Sequence, residues 1–196
     1  MTIIYNKVAL IGLGLIASSM GHGMKRKGIA GKVIGYSKTK ETRDASLALG
    51  FVDAVVDNIV SAIEDADLIV LCVPVGAMSE VAKEIGPRLK LGATITDVGS
   101  VKQSVIDMIS PHIPDGVYFV PGHPLAGTEH SGPASGFADL FKNRWCILTP
   151  AVDVEKSACE KLQKYWEALG ANVEFMDAEH HDFCLLYTSP SPRDSR

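Results

Sequence analysis

The segment that most constrains this chain is Lys7–Ile11, an apolar run that leads into Gly12-Leu-Gly-Leu-Ile-Ala17 and then into the amphipathic stretch Leu15–Lys27. This is a strand, a tight glycine turn and a helix, with the G-x-G-x-x-A spacing of a dinucleotide site. Gly12 permits the turn, Gly14 lets backbone approach a pyrophosphate, and small Ala17 lets helix and strand pack closely. The helix N-terminus then faces the negative charge. The same alternation of apolar runs and amphipathic stretches continues along the chain. Strands are predicted at 32–36, 68–73, 94–98, 117–120, 145–149 and 172–175, and helices at 41–49, 76–89, 101–109 and 154–169. Such a chain implies an α/β fold of the Rossmann type, doubly wound, with a mainly parallel sheet covered by helices on both faces.

With 196 residues, 46% of them hydrophobic, the chain has material for one large or two small domains around a real core. Nineteen Lys and Arg against 23 Asp and Glu give a formal net charge of -4, so no cationic surplus favours nucleic acid or an anionic membrane. Neither is an expected partner. Cys72, Cys146, Cys159 and Cys184 are widely spaced without a CxxC pair, which suits a reducing cytoplasm. The apolar run after Lys7 resembles a secretory leader only superficially, since no charged segment precedes it. Leu68–Val75 is far below the roughly 20 residues that span a bilayer. Toward the end the pattern breaks. A new helix starts near Asp177, but Tyr187–Arg196 carries two prolines and is expected not to continue it. Residues 184–196 read as a disordered, non-native tail resembling a translated library adaptor. An exposed apolar patch is expected around Phe183, Leu185 and Leu186.

Where a cofactor lacking a 2'-phosphate would meet an acid at the end of the second strand, this chain has Tyr36-Ser-Lys-Thr-Lys-Glu-Thr-Arg43. Ser37, Lys38, Thr42 and Arg43 suit an extra phosphate, so NADP is favoured over NAD; the competing reading is a solvated charged helix start. Ser100 and Gln103 fit a capping box, and the Ser100 hydroxyl would also stand near the nicotinamide end of a cofactor. The loop Gly122-His-Pro-Leu-Ala-Gly-Thr-Glu129 is built to place side chains, with His123 as a proton acceptor near neutral pH. A metal site is not expected there, since neither HExxH nor a second ligand cluster accompanies it. His180 and His181 would point to different faces of a helix and are expected on the surface.

Together Gly12–Ala17, Asp97-Val-Gly-Ser-Val-Lys102 and Gly122–Glu129 resemble the prephenate and arogenate dehydrogenase family of tyrosine biosynthesis, over residues from about 5 to 183. The resemblance implies a dinucleotide-binding domain over residues 1–176. The start of a truncated all-helical domain follows at 177–183; in the full-length protein that domain would form a homodimer and complete the pocket. It implies NAD(P)-dependent oxidative decarboxylation: hydride leaves C4 of the substrate ring, carbon dioxide leaves C1, and the product is 4-hydroxyphenylpyruvate or tyrosine. His123 matches the catalytic histidine, Ser100 the serine beside it and Glu129 an acidic residue of the substrate pocket. Gly12, Gly14, Leu15, Ile16, Val73, Pro74, Val75 and Ser100 match cofactor contacts, and Ser37-Lys38 matches NADP-using members. The fragment alone is expected to be inactive. A non-catalytic NAD(P)-binding fragment or a dehydrogenase of the β-hydroxyacid type are the alternatives, and the loop His123–Glu129 argues against both.

Overall fold

The computed structural model describes residues 2–188, the side chains of 185–188 excepted. Six parallel strands form the main sheet: β1 (Tyr5–Ile11), β2 (Ala30–Tyr36), β3 (Ala54–Val56), β4 (Leu68–Leu71), β5 (Thr94–Asp97) and β6 (Tyr118–Phe119), in the spatial order β3-β2-β1-β4-β5-β6. Between them run α1 (Leu15–Lys27), α2 (Lys40–Ala48), α3 (Ile59–Ile63), α4 (Met78–Ile85) and α5 (Gln103–Ile109). The expected doubly wound architecture is present. A second sheet of β7 (Gly122–Pro124), β8 (Trp145–Leu148) and β9 (Asn172–Phe175) follows, with α6 (Lys156–Ala168) between its last two strands and α7 (Ala178–Thr188) after it.

Strand alternation explains why helices cover both faces. Val8 and Leu10 of β1 and Leu68 and Val70 of β4 join the core under α1 and α6. Their neighbours Ala9, Ile11, Ile69 and Leu71 join a second core under α3, α4 and α5. A strand with both faces buried reads as continuous apolar sequence, as β4 does. The order reverses between β1 and β4, so a crevice opens beyond their carboxyl ends, where open α/β sheets bind ligands.

Three expectations change. His123 lies on a strand, not in a free loop: β7 pairs antiparallel with β8, His123 opposite Ile147. β7 is an edge strand, where Pro124 costs no ladder hydrogen bond. Second, α4 covers only the middle of the span 76–89, since Gly86-Pro87 diverts its end into a tighter turn. Third, α7 runs to Thr188, two residues into the segment expected to leave the helix. The nearest proline, Pro190, restricts the residue before it and leaves Thr188 free to stay helical. Most of the expected tail, residues 189–196, and the side chains of Leu185 and Leu186 lie outside the described residues; Phe183 is 62% exposed. No helix among the described residues is long and apolar enough to cross a membrane.

Candidate functional site

The crevice is built on the turn after β1. Gly12 has φ +94°, and a Cβ there would stand 2.8 Å from the Cys72 carbonyl carbon and oxygen at the end of β4. A side chain is excluded twice, by conformation and by space. Gly14 differs: a Cβ would meet nothing within 4 Å, and the residue opens onto the crevice. α1 has no side-chain cap and no acidic residue in its first turn, so its leading amides and positive dipole end are left for an anion. The crevice encloses about 790 Å³. It brings together Gly12, Gly14, Ser37, Lys38, Thr42, Val73 and Pro74 of the expected cofactor residues. Leu15 and Ile16 line an adjoining cavity of about 290 Å³, which the loop from Ala126 to Gly132 closes over.

The basic cluster is smaller than the sequence implies. The Arg43 guanidinium donates to the Ser37 and Lys38 carbonyls at 2.8 and 3.1 Å, so it braces the β2–α2 turn. Lys40 pairs with Asp44 one helical turn on. Lys38 remains on the crevice, with the Ser37 and Thr42 hydroxyls beside it. Glu80 and Glu84 of α4 line the same space, and no motif in the sequence marks them.

At the carboxyl end of β5, the fully buried Asp97 ties that strand to β7. Its carboxylate accepts the Gly99 amide at 2.7 Å and the Gly122 amide at 3.1 Å, and it pairs with the buried Lys102 ammonium. Lys102 also donates to the Gly122 carbonyl at 2.7 Å. The backbone just before His123 is thus clamped on both its amide and its carbonyl. Burial pushes Asp97 up and Lys102 down, against their mutual attraction.

His123 Nδ1 lies 2.9 Å from His181 Nε2, and His181 Nδ1 lies 2.8 Å from the Asp182 carboxylate. Burial, then His181 and Lys102, push His123 down to about 3, so it is neutral at physiological pH. Burial lowers His181 too, against the pull of Asp182. For Asp182, burial acts upward, but the bonds from Gln103, Lys102 and His181 outweigh it and hold the carboxyl below its ordinary value.

This corrects the surface assignment of His181, which is fully buried, while His180 is exposed. Adjacent helical residues point about 100° apart, so one imidazole turns to solvent as the other turns inward. The expected capping box also fails. α5 starts at Gln103 with Lys102 at its N-cap, which leaves Ser100 too far upstream, and Asp182 accepts the Lys102 and Gln103 amides at 2.8 and 2.9 Å instead. Ser100, in the β5–α5 loop, and Glu129, in the loop after β7, are both exposed; Val75 sits in the turn after β4. Among the described residues no cluster of three or more His, Cys, Asp or Glu could hold a metal ion.

The nucleotide-binding domain of prephenate dehydrogenases matches residues 20–175. The cyclohexadienyl dehydrogenase of Zymomonas mobilis is 43% identical over 189 residues, which are 96% of this chain and 64% of that protein. A prephenate dehydrogenase from Aquifex aeolicus, solved with hydroxyphenyl propionate and NAD+, superposes with a TM-score of 0.85 at 32% identity, over 92% of this chain and 63% of that one. The arogenate dehydrogenase of Synechocystis gives a TM-score of 0.86 at 28% identity, over 93% and 64% respectively. This chain therefore spans less than two thirds of each of these relatives. With the domain match covering most of its length and ending at Phe175, the last residue of β9, the chain belongs to the prephenate dehydrogenase family and carries its nucleotide-binding domain.

Proposed function

We propose that this chain is the cofactor-binding part of a cytoplasmic NAD(P)-dependent dehydrogenase that oxidatively decarboxylates prephenate, arogenate or both. Residues 1–176 would form the nucleotide domain. Those from 177 would open a helical domain that completes the pocket and the homodimer. The observation that carries the reading is His123: a neutral imidazole whose strand is clamped by the Asp97–Lys102 pair at the carboxyl end of β5, the end of the sheet at which the nucleotide crevice opens. A base must be neutral to accept a proton, and a fixed one loses little entropy in doing so.

The residues present fit a dinucleotide. Gly14 leaves a cradle that a Cβ would fill, and uncapped α1 offers amides to the pyrophosphate. Ser37, Lys38 and Thr42 would hold the adenosine ribose, and Val73, Pro74 and Val75 the nicotinamide side. When bound, the nicotinamide supplies the hydride acceptor. His123 takes the ring hydroxyl proton on Nε2, its Nδ1 facing His181, and the O–H pair becomes the second C–O bond as hydride leaves the same carbon. Ser100 and Glu129 would orient the substrate from the loops on either side.

Titration of this chain with both cofactors tests the reading. NADP+ should bind at least as tightly as NAD+, and Ser37→Asp should shift the affinity ratio toward NAD+ by about tenfold or more, because its carboxylate would face a 2'-phosphate. Gly14→Ala should weaken both without lowering Tm, since its backbone (φ -100°, ψ -161°) suits any residue and its Cβ displaces no protein atom. A parent that clearly prefers NAD+ would make the Lys38 region a solvated surface. Binding unaffected by Gly14→Ala would move the site away from the α1 N-terminus.

A further inference from the structure

We propose that His181 and Asp182 are positioning residues that set the tautomer of His123, holding its proton on Nδ1 and leaving Nε2 as a bare lone pair. The role in turnover rests on His123 being the base, but the tautomer itself does not.

The assignment follows donor by donor. Asp182 is a carboxylate that accepts the Lys102 and Gln103 amides, and an ionised carboxylate has no proton to give. His181 Nδ1, 2.8 Å from Asp182 Oδ1, must therefore be the donor. Burial holds His181 below its ordinary value, and with Nδ1–H given to Asp182 its Nε2 near neutral pH is a lone pair. That lone pair stands 2.9 Å from His123 Nδ1, which must in turn donate. Were His123 protonated on Nε2 instead, two lone pairs would face each other across 2.9 Å in a largely desolvated contact.

The order Asp182, His181, His123 places an acceptor, an orienter and a base in line, the arrangement that activates a group by fixing the ring that serves it. Once a hydroxyl proton has moved to His123 Nε2, the charge on the ring is shared through Nδ1–H with His181 and, beyond it, Asp182. Lys102 repels that charge, Asp97 offsets Lys102, and Asp182 supplies the remaining attraction. The two positioning residues lie on α7 and the base on β7, some 58 residues apart in sequence for the His pair. Docking of α7 against α5 thus organises the base, and the same Asp182 caps the helix that follows Ser100.

Imidazole nitrogen NMR on this chain, labelled with 15N-histidine and recorded near neutral pH, reads the tautomers directly, with no substrate or cofactor. His123 and His181 should each show a protonated Nδ1 and a bare Nε2, assigned by loss of signals in His123→Asn and His181→Asn. A His123 protonated on Nε2, or averaged between tautomers, overturns the proposal.

Asp182→Ala supplies the second readout. Asp182 Oδ1 takes both the Lys102 amide and the His181 ring, so without the carboxylate His181 Nδ1 loses its acceptor and the fixed tautomers of His181 and His123 should give way to averaged ones. In a chain extended to the length of its relatives, kcat should then fall about 10²-fold or more with KM and cofactor affinity little changed. An unchanged nitrogen pattern in Asp182→Ala also overturns the proposal. The stated tautomers in an extended chain that turns over no substrate would leave the proposal standing and remove the dehydrogenase reading.

Discussion

His123→Asn should lower turnover by about 10²- to 10⁴-fold in a chain extended to the length of its relatives, the usual worth of a positioned base. Asparagine keeps a hydrogen-bonding group on β7 and can still meet His181, so the fold and the clamp at Gly122 should survive. What it lacks is a nitrogen that accepts a proton at neutral pH. His123 does not line the nucleotide crevice, so cofactor affinity should stay within about threefold of the parent. Steady-state kinetics beside a cofactor titration separates the two. Turnover within about threefold of the parent would take His123 out of the mechanism.

Lys102→Met should cost about 3–5 kcal/mol of stability in chemical unfolding, the penalty for breaking a buried pair from one side. Both groups are fully buried. Without the ammonium, Asp97 keeps the Gly99 and Gly122 amides but no counter-charge, and the Gly122 carbonyl loses its donor. A loss of this size is a large share of a domain's total stability. Asp97→Asn combined with Lys102→Met should be less destabilised than the sum of the two single changes, because the first removes the charge that the second strands. Stability within about 1 kcal/mol of the parent would show that the clamp does not hold β7 to β5.

What could be read in the sequence was local. β1, the glycine turn and α1 were legible because one strand, one turn and one helix satisfy each other within about twenty residues, and helix α1 falls at the bounds the pattern predicts. β3 and α3 left little signal, being only three and five residues long. The misread features depend on partners far along the chain. Ser100 and Gln103 have capping-box spacing, yet the group that caps α5 arrives from Asp182, eighty positions after Lys102. His181 reads as surface beside an equally polar His180 until β7 is seen to pack against it. Arg43 reads only as a phosphate ligand, and the bracing of the β2–α2 turn by its Nη1, which reaches the Ser37 and Lys38 carbonyls, has no signal in the sequence. The resemblance carried by Gly122–Glu129 points to His123 as the base, but gives no hint of the two residues behind it.

The central claim is that this chain holds the cofactor and the base while another domain completes the substrate pocket. Its most direct test is NADP+ reduction with prephenate and with arogenate, by this chain alone and by a chain extended to the length of its relatives. The expected result is turnover of at least one substrate by the extended chain and none by the shorter one, since on the proposed reading a second domain orients the substrate and excludes water from the hydride path. An extended chain that folds and binds cofactor but oxidises neither substrate, or equal turnover by the shorter chain, would contradict it.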